Sequence, residues 1–433
     1  MIPEIRNALN DSSGLVHLLR QRGFIDLVSA TVGGEKYNMA NYGPLGTLLR
    51  RNILKQWWDL MVATQTNVFP IESPFLNSIE FEDMIKPTKS FNHFRSSLQK
   101  DCTAKYSQVL KLTNGKLPIS IASVGTCLLT NGKWNPTEQV IEKALLLGTS
   151  VRTKLTLQNY VSPSSASAIH DFWLQTRLSW WKKFSRSPEH FSVTSVATNG
   201  NGDSGGKNTD EDLQLSTNSS TVQTLSIVYE FPWGQEVVES VTNLSDSLFK
   251  QLPQPEREAY MVKLTGKKAF LPACIECDTS MESVMAAWLV DAYHERYPSA
   301  SGQKHKRSKV QQVLQLHHQV APYQVAIAVC SSSSPSSSSP SSSIELRYVS
   351  ENMEKSLKKA GISVFNASHH GGSLDAHFKR NDQLGIVYTI IIDHNTVTDG
   401  LVKTRSRDTQ VKVSSHISGL VKELQRNLNA QLE

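Results

Sequence analysis

Long apolar runs are missing from this chain of 433 residues. No stretch reaches the roughly 18 consecutive apolar residues that a membrane-crossing helix needs, so no membrane span is expected. Cysteine is scarce: there are five, an odd number, which argues against a disulfide framework and for reduced, buried thiols. Cys274 and Cys277 stand in Cys-x-x-Cys spacing, but no second ligand pair follows at a zinc-like distance, so no metal site is expected. Neither a P-loop nor a His-Glu-x-x-His pattern occurs. Charge of one sign is also in short supply. Lysine and arginine number 45 against 39 acidic residues, a net +6, which is compatible with a polyanionic partner without requiring one. The first residues, Met1 to Asp11, hold Glu4, Asp11 and one arginine. They do not read as an Arg-rich, acid-poor presequence, and no secretory apolar segment follows.

The chain is long enough for two or three domains with sizeable cores, and its 39% hydrophobic content is ordinary for a globular protein. Residues 195–225 are rich in Asn, Gly, Ser and Thr and read as a disordered insertion. The Ser-rich segment 331–343, with Pro335 and Pro340, reads as a flexible loop. The expected boundary is at 298–310, where Pro298 to Gly302 is followed by the basic run Lys304, His305, Lys306, Arg307 and Lys309. This divides the chain into a first domain over 1–300, a basic linker over 301–310 and a second domain over 311–433. In the second domain strands are expected at Val320–Val329, Ile362–Phe365, Ile386–Asp393 and Leu401–Thr404. Helices are expected at Ile344–Ala360, where Leu346, Val349, Met353 and Leu357 share a face, and at Ser414–Leu428. Such alternation predicts a small α/β layered domain. The aromatic-rich helix over 171–184 reads as core packing.

Tyr42-Gly43-Pro44-Leu45-Gly46, followed by a helical run through Trp57-Trp58, resembles motif 1 of glycyl-type class II aminoacyl-tRNA synthetases. Motif 2 of those enzymes carries Phe-Arg-Asn-Glu, and the matching stretch here is Leu128-Leu129-Thr130-Asn131. At motif 3 the matching segment is Ser280-Met281-Glu282-Ser283, with Ser283 in the place of an ATP-binding arginine. Adenylate formation needs a cation where charge grows on the α-phosphate. Leu129, Asn131 and Ser283 therefore predict a synthetase-like body without adenylation activity.

Six blocks in chain order resemble the accessory subunits of mitochondrial DNA polymerase gamma. They are Tyr42–Gly46 with Trp57-Trp58, Asp171–Phe184, Tyr229–Glu236, Val320-Ala321-Pro322, Leu346-Arg347, and Gly400–Thr409. The resemblance implies an α+β, class II aminoacyl-tRNA synthetase-like antiparallel sheet core followed by an α/β anticodon-binding-like domain. It implies no catalytic residue, no cofactor and no metal. It also implies a role in the mitochondrial matrix: binding the catalytic polymerase subunit and primer-template or double-stranded DNA to raise processivity. Vertebrate members carry a helical insertion between motifs 1 and 2 that stabilises a dimer. The interval Phe75 to Leu117 is too short for all of it, but a homodimer through motif 1 is still expected. DNA-binding candidates are Lys304, Lys306, Arg307 and Lys309, then Arg50 and Arg51. Arg405 and Arg407, two apart on a strand and so on one face, are the polymerase-contact candidates. A tRNA-binding paralogue and an active glycyl-type synthetase remain alternatives on the same scaffold.

Overall fold

The computed structural model describes residues 14–32, 35–75, 94–129, 141–196, 222–250, 252–263, 268–297, 310–330, 340–366 and 373–430. In chain order the strands are β1 Asp26–Val32, β2 Glu35–Asn41, β3 Val68–Ile71, β4 Ile119–Leu128, β5 Val151–Val161, β6 Phe191–Val196, β7 Gln223–Phe231 and β8 Gly234–Ser245. They continue as β9 Ala273–Ser280, β10 Tyr293–Arg296, β11 Gln311–Leu314, β12 Val325–Val329, β13 Val364–Asn366, β14 Tyr388–Ile392, β15 Leu401–Ser406 and β16 Lys412–His416. The larger sheet has the order β3-β4-β5-β9-β8-β7-β6. It is antiparallel throughout except for the parallel edge pair β3 and β4.

Strand alternation divides this sheet into two faces. Leu155, Leu157, Ile275 and Cys277 enter the main core, while Ile119, Ile121, Tyr160 and Cys274 enter a smaller cluster on the other side. The main core is roofed by helices Ala166–Lys183 and Met281–Ala292, whose Trp173, Trp180, Trp181 and Trp288 are all buried. The aromatic helix is therefore core material, as its composition suggested. Helix Pro44–Trp58 adds Leu45, Leu49, Ile53 and Trp57, one residue per turn. Its start explains the glycines of motif 1. A Cβ on Gly46 would lie 1.8 Å from the Phe24 carbonyl oxygen, and one on Gly43 would lie 2.4 Å from that of Gly23. Only bare backbone lets the helix sit there.

The smaller sheet has the order β13-β12-β14-β15-β16, parallel among the first three strands and antiparallel thereafter. Helices Pro340–Lys359 and Ile417–Ala430 cover one face and bury Leu346, Met353, Leu357, Leu420, Leu424 and Leu428. From the other side Ala326, Leu384 and Ile386 join the main core, so the two sheets share one apolar cluster.

Several boundaries differ from the expected ones. The chain enters β12 at Val325, and Val320 and Ala321 belong to the main core instead, where Asn52 Nδ2 donates to the Ala321 carbonyl at 2.7 Å. β10 pairs with β11, Tyr293 opposite Leu314; of the segment expected as a linker at 301–310, residues 301–309 lie outside the described residues. The ends of the expected insertion 195–225 are strand residues of β6 and β7, and its middle lies outside the described residues. The Ser-rich segment 331–343 runs into helix Pro340–Lys359 at its end, the remainder again lying outside them. Helix Leu374–Gln383 and strand β16 had no counterpart among the expected elements.

Candidate functional site: a sheet face filled from within

The face of β5 and β9 opposite the aromatic helices carries the residues next to the motif 2 and motif 3 matches. Here polar side chains fill it and partner one another. Lys154 pairs with Asp278, and Thr156 Oγ1 donates to Asp278 Oδ1 at 2.7 Å. Gln158 Nε2 donates to Glu276 Oε2 at 2.7 Å, and Gln99 Nε2 donates to Glu276 Oε1 at 3.0 Å. Burial, then the neighbouring Asp278 carboxylate, pushes the Glu276 carboxyl up to about 7, against the opposing pull of the two glutamine hydrogen bonds and Lys154.

Arg95 closes the motif 2 side. Its Nη2 stands 2.0 Å from where a Cβ on Gly125 of β4 would be, so glycine there makes room for the guanidinium. Arg95 Nε donates to the Thr126 carbonyl at 2.8 Å, and Nη1 donates to the Ser73 carbonyl at 2.9 Å and to Asp101 at 3.0 Å. A cation is thus present near motif 2, but its donors point to protein oxygens. Leu129 adds only a backbone bond, N–H to the Ser150 carbonyl at 2.8 Å, and Asn131 lies outside the described residues.

At motif 3 the matching serines cap a helix. Ser280 Oγ accepts from the Ser283 N–H at 3.1 Å, which satisfies one free donor of helix Met281–Ala292. Glu282, in the first turn, is buried. Arg50 Nη1 donates to it at 2.9 Å, the Tyr42 hydroxyl at 3.2 Å and the Thr153 N–H at 2.9 Å. Arg50 also donates to Thr153 Oγ1 at 2.8 Å and lies 4.2 Å from the Tyr42 ring centroid. Of the two arginines expected as weaker DNA-binding candidates, Arg50 directs these donors into the fold, whereas Arg51 beside it is exposed.

Arg405 and Arg407, expected as polymerase contacts, lie further inside. They do share a face, but it is the inner one, and both are buried. Arg405 makes a bidentate pair with Asp382, at 2.8 and 3.0 Å, over the ring of Phe378. Arg407 Nη1 donates to the carbonyls of Leu316 and Gly385, each at 2.9 Å, and its other nitrogens hold Asp408. Arg405 ties β15 to helix Leu374–Gln383, and Arg407 ties the strand end to the chain after β11. Lys304, Lys306, Arg307 and Lys309 lie outside the described residues.

The Cys-x-x-Cys pair is split by β9. Cys274 and Cys277, three apart, face opposite sides of the sheet, and burial pushes both thiols well above their ordinary range. Among the described residues no group of three or more His, Cys, Asp or Glu is placed to hold a metal. A cavity of about 590 Å³ opens beside helix Leu374–Gln383, lined by residues including Phe378, Lys379, Gln410 and Lys412.

Residues 324–427 match the family model of the anticodon binding domain. Over 93% of its length the chain is 28% identical to the mitochondrial DNA polymerase subunit gamma-2 of Xenopus laevis, covering 85% of that protein. It is 26% identical over 94% of its length to the DNA polymerase subunit gamma-2 of Bos taurus, covering 83%. A glycine–tRNA ligase of Borreliella burgdorferi is 22% identical over 94% of this chain and 95% of its own. The chain therefore has a class II synthetase-like fold ending in an anticodon-binding domain, and along nearly its whole length it is similar to DNA polymerase subunit gamma-2.

Proposed function

We propose that this protein is a non-catalytic accessory subunit of a mitochondrial DNA polymerase. In this reading it binds the catalytic subunit and duplex or primer-template DNA in the mitochondrial matrix and raises processivity, acting as a homodimer. The observation that carries the non-catalytic part is the self-partnered sheet face. Arg50, Arg95, Lys154, Glu276, Asp278 and Glu282 each find partners among neighbouring side chains and backbone of the protein itself, and Ser283 is occupied with a helix cap. Opening such a site to ATP would strip several buried polar groups of their partners, at about 1–3 kcal/mol each. The similarity to subunits named for a mitochondrial polymerase supplies the partner and the compartment.

The domain that docks the polymerase is assigned to the C-terminal domain, about 311–433, and DNA contact to the basic run Lys304, Lys306, Arg307, Lys309 with Arg51. Arg405 and Arg407 drop out of the contact set. Two measurements test this reading. ATP–pyrophosphate exchange with each amino acid should not exceed a buffer control. The purified chain should co-purify with the catalytic polymerase subunit and lengthen its products on a long primed template. Exchange above background, or no effect on product length, would refute it. The anticodon-domain match favours a second reading, a tRNA-binding paralogue. That reading predicts tighter binding to tRNA than to duplex DNA at matched salt, since salt alone shifts such affinities by orders of magnitude.

A further inference from the structure

Two arginines, one from each side of the junction of the two sheets, reach the same helix with no ion-pair partner among the described residues. Arg22 follows the helix over 14–21, on the first body, and helix Leu374–Gln383 belongs to the second. Arg22 donates to Gln383 Oε1 through Nε at 3.0 Å and through Nη2. Arg380 stands one turn earlier on the same helix. Its guanidinium lies 5.2 Å from the Phe365 ring centroid, and Nη2 is 2.9 Å from His377 Nδ1. An arginine can only donate, so that imidazole nitrogen must accept, and His377 offers no negative charge there. Arg380 Nε is buried and has no hydrogen-bond partner.

Among the described residues neither arginine makes an ion pair, and Lys379 and Lys412, exposed on the cavity along the same helix, make none either. The nearby Asp382 is no counter-ion, because Arg405, Arg296 and Gln311 already hold it. Burial, and then the Arg22 charge, hold the Arg380 guanidinium below its ordinary range. Two half-buried like charges, with a donor unspent, are stable only at a cost unless an anion comes between them. The guanidinium fork suits one chemistry best, the tetrahedral oxyanion of phosphate, which it can bind through two parallel donors.

We propose that Arg22 and Arg380 form a phosphate-binding site at the junction of the two sheets. The site takes either a backbone phosphate of nucleic acid or free inorganic phosphate. The first source rests on the DNA-binding reading above; the second does not.

Thermal unfolding in inorganic phosphate is compared with chloride at matched ionic strength and pH, for the wild type, Arg22→Gln, Arg380→Gln and a double Arg→Lys variant. Phosphate also stabilises proteins in general, so the readout is the difference between wild type and variants. The expected result is a larger phosphate-induced rise in Tm for the wild type than for either glutamine variant. The lysine variant, which keeps both charges but loses the fork, should retain a smaller rise; it also serves if a glutamine variant does not fold. Because Arg380 is repelled by Arg22, Arg380→Gln should not lower Tm in chloride. Equal phosphate responses in all variants would overturn the site. In a second arm, duplex DNA affinity is measured against salt. A slope shallower by about one for each arginine removed identifies the backbone phosphate as the source. An unchanged slope with a lost phosphate response keeps the site, assigns it to free phosphate, and leaves the DNA reading to fail by itself.

Discussion

Glu276 sits on β9 between two glutamine donors, next to Asp278, and takes up a proton near neutrality where an exposed glutamate would not. The sign of its contribution follows. Its folded-state value, about 7, lies above the ordinary 4.5, so the folded protein binds the extra proton more tightly than the unfolded chain does. Stability from this group is full below about pH 4.5 and declines as pH rises through about 7. Glu276→Gln removes that dependence. Relative to the wild type, the variant should gain on the order of 1 kcal/mol between pH 5 and pH 8, read from urea unfolding at the two pH values. Equal differences at both would show that Glu276 is ionised throughout. Arg405 offers a second test. Arg405→Ala leaves Asp382 buried with most of its charge unanswered, a loss of about 3–5 kcal/mol, and Tm should fall steeply. Normal Tm with impaired polymerase binding would restore Arg405 as a contact. The sequence put Leu129 and Ser283 where the resemblance implies arginines, a reading that spacing alone allows; the structure adds that Ser283 takes part in a helix cap. It placed Arg405 and Arg407 on one face, since strand period alone does that. Which face is inward depends on Asp382, Leu316 and Gly385, and their approach is not written in local spacing.

Among the elements, helices with a strong apolar period were readable, and short ones were not. Pro340–Lys359 carries Leu346, Met353 and Leu357 inward at helical spacing and ends before Gly361, whose φ of +81° is the expected stop. Leu374–Gln383 has little such period: Phe378 is its one large buried apolar side chain, and its inward set includes His377, Asn381, Asp382 and Gln383. Its legible signal was the cap, Ser373 Oγ accepting from Ala376 N–H. β16 escaped notice because Lys412, Val413, Ser414 and His416 are all exposed, so no burial pattern marks it. The aromatic helix Ala166–Lys183 carries a test of its own. Arg177 and Glu239 form a fully buried bidentate pair, at 2.6 and 3.0 Å, and Trp181 Nε1 donates to the same carboxylate. Glu239→Gln strips the charge from Arg177 inside the core and should cost about 3 kcal/mol or more. Replacing both partners by apolar residues of similar volume should recover much of it. Chemical denaturation of the single and double variants measures both, and equal losses would mean that the pair is not the origin of the effect.

At the scale of the whole molecule, one apolar cluster runs from Leu15 and Trp57 through Trp288 to Leu316, Ala326 and Ile386. The second sheet is seated on it rather than hung from a tether. Calorimetry should therefore show one cooperative transition, not two, since neither sheet can open without exposing the other's core. Two resolved peaks, or a C-terminal domain that melts alone, would contradict the shared core. Composition marks the basic run at 301–310, while the pairing of β10 with β11 on either side of it is a long-range property that composition does not carry.

The distribution of the five cysteines has a practical side. Cys102, Cys127, Cys274 and Cys277 are buried, and burial pushes their thiols up, Cys127 to about 11. Reaction with electrophiles goes through the thiolate, so these four should be silent in the folded protein. Cys330, at the end of β12, is partly exposed. A native thiol titration should count one fast sulfhydryl and a denatured one five. The unmodified chain thus carries its own single attachment point for a fluorophore, on the domain assigned to polymerase docking, and the arrival of a partner can be followed without engineering the protein.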